Sequence, residues 1–303
     1  MDIMALVAAF GGGIIGAYMG GVPAFIMTGI YALVGAVITA AGVTGDVAVG
    51  FLAFGSFVGP HIAFAGGVAA AAYAGKKGKL ENGANIMAAL NGTGAPDVLL
   101  VGGIFGVLGF LIHFLISQLP IIGAAGPATT DLPGITVIIL GIASRLMFGK
   151  TGLTGKYTGS GKRVWFSTGK DLVYNVVLGG GIGITVSFIA ASLKNHGLDA
   201  AYGIFPIACF GFAAITLIFA QTGSAIPGTH HIFLPAALAA VVGINAWGNV
   251  GALLGVLFGV LGSLLGDFFG RTFNSYNDSH IDPPAFTIFI LTSIINAIGS
   301  ALA

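Results

Sequence analysis

The chain alternates between long apolar segments and short polar loops. A helix of about 20 apolar residues crosses the hydrocarbon core of a bilayer, so apolar segments of about 17–25 residues mark transmembrane helices. The pattern predicts ten of them, five in each half of the chain. The predicted segments are 3–19, 22–41, 48–74, 98–119, 132–149, 172–193, 201–220, 226–247, 250–270 and 285–303.

The third and the eighth of these segments are interrupted. Within 54–64 and within 222–233, a Gly-Ser pair is followed by a proline, at least one histidine and a phenylalanine. Glycine and proline break helices, and backbone groups freed at membrane depth are tolerated only inside protein or beside a cavity. A matched pair of broken spans, one in each half, indicates the binding site of a transporter.

Short sequence blocks recur in the same order in the two halves. The matches are Gly11–Gly13 with Gly179–Gly181 and Gly55-Ser56 with Gly223-Ser224, at an offset of 168 residues, and Phe105–Gly109 with Phe258–Gly262, at an offset of 153. We therefore predict two five-helix repeats, 1–150 and 171–303, joined by a basic cytoplasmic linker at 151–170. Because each repeat has an odd number of crossings, the second is inverted relative to the first.

The distribution of positive charge predicts an orientation. Lysine and arginine concentrate in the loops after the third, fifth and ninth segments, whereas the loops 120–131 and 243–249 have none; Lys194 is the exception. The positive-inside rule makes the basic side cytoplasmic and places both termini outside. The chain is 7% charged and 56% hydrophobic, against about 25% charged in a soluble domain. We expect an all-α polytopic protein of the cell membrane that contacts lipid and no nucleic acid.

His61 and His230 are the first candidates for binding a solute, because each begins a new helix after a break. Such a helix end has free N–H groups and partial positive charge, and a neutral imidazole adds one donor and one acceptor. A structural histidine that satisfies freed carbonyls is the competing interpretation. At an offset of 168, Thr229 rather than His230 aligns with His61. Which of the two is the counterpart of His61 is therefore left open. His231 is either a second site residue or packing.

Other candidates flank the breaks. Ser56, Ser224 and Thr229 either line a polar path or bond back to their own helix. Phe64 and Phe233 either form an aromatic slot or simply pack.

Two ionisable residues inside predicted helices are candidates for coupling or gating. One is His113; the other is Asp267, for which an ion pair with Arg271 one turn away is the alternative. Arg145 lies close enough to the inner face to snorkel. The loop 272–284 contains His280 and Asp282, and we expect a solvated loop rather than a metal site.

The layout resembles the architecture of the urea transporter family. That family has two inverted five-helix repeats, short pore-lining half-helices and a central slot with phenylalanines, and it forms trimers. The resemblance implies that Phe64 and Phe233 are the slot aromatics and that Thr229 belongs to the oxygen ladder. The family signature ends in Pro-Phe-Asn, whereas neither phenylalanine is followed by asparagine here, and histidine is an addition.

These observations predict a transporter or channel for a small polar solute, such as an amide or a small ion, and a homo-oligomer. Facilitated passage is favoured over coupled transport because buried carboxylates are scarce. The alternatives are an ion-coupled carrier of an organic anion or metal ion, and a membrane-embedded subunit without a pathway. Glu81 is the only glutamate and no His-Glu-x-x-His motif occurs, so we predict no enzyme, no cofactor and no metal site.

Overall fold

The computed structural model describes residues 2–43 and 47–303, and within them the chain is helical without a strand. The α-helices are α1 (Ile3–Met19), α2 (Gly21–Ala40), α3 (Ala65–Lys76), α4 (Pro96–Ser117), α5 (Leu132–Phe148), α6 (Gly169–Asn195), α7 (Asp199–Ile215), α8 (Leu217–Gln221), α9 (His230–Trp247), α10 (Leu253–Phe273) and α11 (Pro283–Leu302). Shorter turns are π-helical at Val47–Ala53 and Pro60–Phe64 and 3-10 at Leu90–Thr93 and Gly248–Ala252.

All ten predicted segments are helical, with ends that differ from the prediction by a few residues. The seventh segment is divided into α7 and the short α8, and the ninth begins with a 3-10 turn. In the part of the chain that the structure describes, six helical stretches are long and apolar enough to cross a membrane, while α1 and α5 are shorter apolar helices.

The two predicted breaks are present. In the first, the chain leaves the helical path after Ala53 and resumes it at Pro60, a residue whose missing N–H suits the first position of a helix. In the second, the stretch between α8 and α9 is not helical, and Gly223 has a φ of +94°, a conformation that glycine adopts without strain.

Corresponding helices of the two halves make corresponding contacts. Helix α1 packs along α4 and α6 packs along α10, in both cases through glycines. A β-carbon at Gly106 would meet Gly13, and a β-carbon at Gly259 would meet Gly183 in the same way. The offsets are 259 − 106 = 153 and 183 − 13 = 170. By these contacts α1 aligns with α6 at an offset of 170 residues, two more than the offset of 168 given by the glycine triplets.

The basic loops lie together at one end of the bundle. The Lys76 ammonium donates to the carbonyl of Met147 at 2.8 Å, and the backbone N–H of Lys156 donates to the carbonyl of Tyr276 at 2.8 Å. The first contact joins the C-terminal ends of α3 and α5, and the second joins the linker to the loop after α10. The linker is thus packed against the loop after α10.

The outer faces of the bundle are apolar. Large side chains are more than two-thirds exposed on several different helical elements, among them Ile3, Phe51, Phe188 and Val250. Alanine and glycine dominate the interior, where α3 and α9 are packed among the other helices. With large apolar side chains outside and small ones inside, the single chain leaves an extensive apolar surface uncovered.

Candidate functional site

A cleft of about 610 Å³ opens between the two halves of the chain. The second half contributes the starts of α9 and α11 and the facing sides of α6 and α10, and the first half contributes residues of α2 and Phe64. Polar groups are concentrated on the side of the second half. They are Asp171, Asn175, His230, His231, Ser263, Asp267, Arg271, Asn274, His280 and Asp282.

His230 and His231 occupy the first turn of α9. The helix restarts at Thr229, whose carbonyl accepts the N–H groups of Ile232 and Phe233 at 2.8 and 3.0 Å. The two imidazole rings are nearly perpendicular, with centroids 5.9 Å apart. Both side chains are more than nine-tenths buried, and the Nδ1 atom of each has no hydrogen-bond partner in the described residues. Burying an unpaired polar atom is costly, so these imidazoles are suited to a ligand or water that supplies the missing bond.

An aromatic wall faces the histidines. The ring of Phe25 lies 4.6 Å from that of His230 and 5.6 Å from that of Phe64, and Phe210 lies 5.5 Å from Phe25. Phe25 and Phe64 line the cleft itself. A bound solute would therefore contact imidazole on one side and aromatic rings on the other.

A hydrogen-bonded chain leads from Asn274 to Asp282. The Asn274 amide nitrogen lies 3.2 Å from Nδ1 of His280, and Nε2 of His280 lies 3.1 Å from Oδ1 of Asp282. Because an amide nitrogen only donates, Nδ1 accepts, and Nε2 carries the proton that is donated to the carboxylate. Asp282 also caps α11 by accepting the N–H of Ala285 at 2.8 Å. Burial alone would raise the pKa of Asp282, but the His280 and Ala285 contacts bring it below its usual value.

Arg145 fixes the loop that carries this chain. Its side chain is only 1% exposed, and its guanidinium donates to the carbonyls of Leu153, Phe273 and Ser279, to the Ser279 hydroxyl and to the Asn274 amide oxygen. Two of our expectations are therefore wrong. Arg145 does not snorkel to the surface, and the loop after α10 is an ordered, partly buried segment rather than a solvated one.

A second, smaller chamber of about 30 Å³ adjoins the cleft, and the two share Phe25, Phe64, His230 and Asp282 as lining residues. Asp131, which precedes α5, lines the chamber together with Asp282. Burial raises the pKa of Asp131 to about 6, the backbone amide of Gly134 opposes this shift and the charge of Asp282 adds to it. The sequence placed Asp131 in an outer loop. The end of that loop instead runs alongside α11, where Thr130 donates to the Phe289 carbonyl at 2.9 Å.

Comparison with known proteins identifies a family. The model of a family of unknown function, DUF7973, matches residues 1–162 and 176–302. The chain belongs to DUF7973. Neither the curated proteins nor the solved structures contain a match to it.

In this DUF7973 chain the cleft brings together four of the residues predicted from the sequence: His230, His231, Phe64 and Asp267. Asp267 forms the ion pair with Arg271 that was the alternative to a coupling role, with Nε to Oδ2 at 2.6 Å. Arg271 also binds Asp171 at 2.9 Å, so one guanidinium serves two carboxylates on the lining of the cleft.

The other predicted residues lie outside the cleft. The Ser56 hydroxyl donates to the Ala5 carbonyl at 3.1 Å, Ser224 is exposed, and Thr229 is the buried N-cap of α9 without a side-chain capping bond. Phe233 packs on Phe212 with ring centroids 5.5 Å apart. The resemblance to urea transporters implied that Phe64 and Phe233 form one slot. In the structure they lie apart and do not form one.

His61 is buried in the first half, where its ring stacks on that of His113 at 4.4 Å. A β-carbon at Gly109 would overlap the carbonyl of His61, and one at Gly262 would meet the carbonyl of His231. The offsets, 262 − 109 = 153 and 231 − 61 = 170, equal those of the helix contacts. His231, rather than Thr229 or His230, thus corresponds to His61.

Gly266 corresponds to His113 at the same offset of 153. A β-carbon at Gly266 would overlap the His231 ring. In the first half this position carries a whole imidazole, which stacks on His61. In the second half the His231 ring itself lies against Gly266, and both residues line the cleft.

The sequence interpretation missed Asp131 and Asp282 as site residues. Each precedes a helix with proline in its first turn, as Asp131-Leu132-Pro133 and Asp282-Pro283-Pro284. Their offset, 282 − 131 = 151, is close to the offset of 153 between α4 and α10. Aligning the two halves would therefore have paired these two aspartates. Among residues 2–43 and 47–303, no group of three His, Cys, Asp or Glu side chains is arranged to hold a metal ion.

Proposed function

We propose that this chain is a membrane transporter that moves a small polar solute through the cleft between its two halves. The observation that carries the proposal is the cleft itself. Unpartnered imidazoles, three carboxylates and two amides converge there on a space of about 610 Å³, inside a bundle that is otherwise apolar. Small-molecule sites are concave and mostly apolar, with a few convergent polar groups.

Two features support a location in the cell membrane. Helices of sufficient length and apolarity expose large hydrophobic side chains, and an apolar surface of this extent requires an apolar environment. The loops that carry Lys76, Lys156 and Arg163 meet at one end of the bundle. The positive-inside rule makes that end cytoplasmic and leaves both termini outside.

Inverted repeats give the cleft its proposed mechanism. Two pairs of matching contacts support the repeat. Gly13 meets Gly106 as Gly183 meets Gly259, and the carbonyls of His61 and His231 meet Gly109 and Gly262. Transporters built from inverted repeats alternate access by moving one unit against the other around a central site. We infer that the cleft beside His231 is the open pathway and that its counterpart beside His61 is the closed one.

The lining favours a neutral or cationic solute. Three carboxylates, those of Asp171, Asp267 and Asp282, face a single guanidinium, and a cleft lined by an excess of one sign attracts the opposite charge. Aromatic rings next to the site add a favourable surface for a cation. An organic anion, one of the alternatives, is correspondingly disfavoured.

The test is a panel of amides, amines and small cations, screened first for thermal stabilisation of the purified protein and then for flux into proteoliposomes. For a solute that passes, His230→Ala should lower flux about tenfold, the equivalent of about 1.4 kcal/mol, because the ring lines the cleft. His196→Ala is the matched control, since His196 is exposed at the end of α6.

Because His61 lies outside the cleft, His61→Ala should reduce flux less than His230→Ala. Equal flux in the His230 and His196 variants would remove the cleft histidine from the pathway. No flux for any solute, with normal assembly, would favour the alternative of a subunit without a pathway.

A further inference from the structure

We propose that Asp131 is a proton-binding site that couples proton movement to transport. In this proposal its carboxyl group takes up one proton from the cleft and releases it when the chamber opens to the other side. The proposal rests on the proposed transport function. It also changes our expectation of facilitated passage, because that expectation depended on a scarcity of buried carboxylates.

The chamber surrounds the partly buried Asp131 carboxyl group with a mostly apolar lining. Its lining is mostly apolar, from Phe25, Phe54, Pro60, Phe64, Val137, Phe210 and Ile288. The polar side chains are those of Asp131, Asp282 and His230. Because about 10–15 Å³ suffices for a water molecule, the volume of about 30 Å³ leaves room for water beside the carboxyl group.

His230 is the second, independent indication of a ligand. It lines both the cleft and the chamber, is only 6% exposed and has an unpartnered Nδ1. A neutral imidazole between two cavities can accept a proton on one nitrogen and return it from the other. The route from cleft to chamber therefore passes a group able to carry protons.

The titratable groups that face Asp131 limit what can bind there, because the other lining side chains are apolar. Helix α11 presents Asp282, which is held by His280; α9 presents His230; and the turn Pro60–Phe64 directs His61 away to His113. A metal ion would need several oxygen ligands, whereas the chamber offers carboxylate side chains from two residues. A proton needs one acceptor, and two neighbouring carboxylates favour holding one proton between them.

The proton step balances without any other reactant. The Asp131 carboxylate gains a proton from a hydronium ion in the cleft, either directly or through His230, and becomes a neutral carboxylic acid while the hydronium becomes water. On release, the proton returns to water and the carboxylate is restored. The burial-raised pKa of about 6 places this exchange near neutral pH.

Infrared difference spectroscopy of the purified protein, titrated from pH 4 to pH 8, tests the proposal without a solute. We expect the C=O band of one protonated carboxyl group to disappear with a midpoint near the raised pKa of about 6. The band should be absent in Asp131→Asn and unchanged in Asp199→Asn, the control at an exposed ion pair with Lys194. Asp282→Asn should shift the midpoint to lower pH, because it removes a neighbouring negative charge.

Three results would overturn the proposal: no carboxyl group titrating above the usual range, a band that persists in Asp131→Asn, or a midpoint that falls when sodium replaces potassium at constant ionic strength. The last result would make sodium the ligand. If Asp131→Asn does not fold, the absence of a shift in Asp282→Asn provides the same refutation. If a solute passes but Asp131 does not titrate, the proposed transport function stands and the proton site is refuted. If Asp131 titrates but no solute passes, the proton site stands and the proposed transport function is refuted.

Discussion

Arg145 offers the sharpest test of how the cleft is held together. Replacing it with methionine, an unbranched apolar side chain, leaves the carbonyls of Leu153, Phe273 and Ser279 without their buried donor. Each buried acceptor left unsatisfied costs about 1–3 kcal/mol, and breaking a buried ionic group out of its network costs about 3–5 kcal/mol in total. For a chain of this length such a loss lowers Tm by about 6–10 °C.

The assay is thermal unfolding of the protein in detergent, with Lys162→Met as control because Lys162 is an exposed cation in the linker 151–170. Arg145→Lys should fall between the two, since an ammonium has three donors for five acceptors. A cysteine placed at Ile281, which is fully buried, should resist thiol reagents in the native background and react in Arg145→Met. The native Cys209 is itself buried.

A Tm for Arg145→Met equal to that of Lys162→Met would refute this reasoning. It would mean that the loop between α10 and α11 keeps its position without the guanidinium. An unreactive cysteine at position 281 in Arg145→Met would lead to the same conclusion. Asp282 would then be positioned by its own capping bond to Ala285 alone.

Two further predictions concern packing and pH. Gly266→Ala should cost about 1–3 kcal/mol by overpacking the His231 ring, whereas Gly270→Ala, where a β-carbon meets nothing within 4 Å, should leave Tm and flux unchanged; equal effects would contradict the close contact. Because burial raises the pKa of Asp131 to about 6, its protonation stabilises the fold at low pH, and that contribution should be lost as pH rises from about 4 to about 6, by about 3 kcal/mol. Asp131→Asn should lack this loss in unfolding titrations, and a wild-type profile parallel to that of the variant would contradict it.

Much of the helical layout could be predicted because membrane-length apolar segments have a simple signature. The ends of α1 coincide with the prediction, and the breaks before Pro60 and His230 follow from proline and glycine chemistry. The register of the repeat was harder. Glycine triplets suggested an offset of 168, whereas the contacts of Gly13 and Gly183 give 170, because glycines are frequent enough to align by chance.

The site was predicted only in part. His230 and His231, which line the cleft, were predicted because each follows a helix break. Asp282 also lines the cleft, but it was predicted to be a solvated loop residue because its neighbours in the sequence are polar. Its burial depends on Arg145, which lies more than a hundred residues earlier and anchors the loop through bonds to its carbonyls. Such long-range contacts have no local signature. The same holds for Asp131, whose loop is held beside α11 by Thr130 and Thr292.

The most direct test of the central claim is to block the cleft chemically and measure flux. Ser263 lines the cleft, and Ser263→Cys changes little in volume. After complete reaction with a thiol reagent, this variant should lose solute flux in proteoliposomes, while Ser160→Cys, labelled on the exposed linker, should retain it. Full flux through the blocked Ser263→Cys protein would show that the solute does not pass through this cleft.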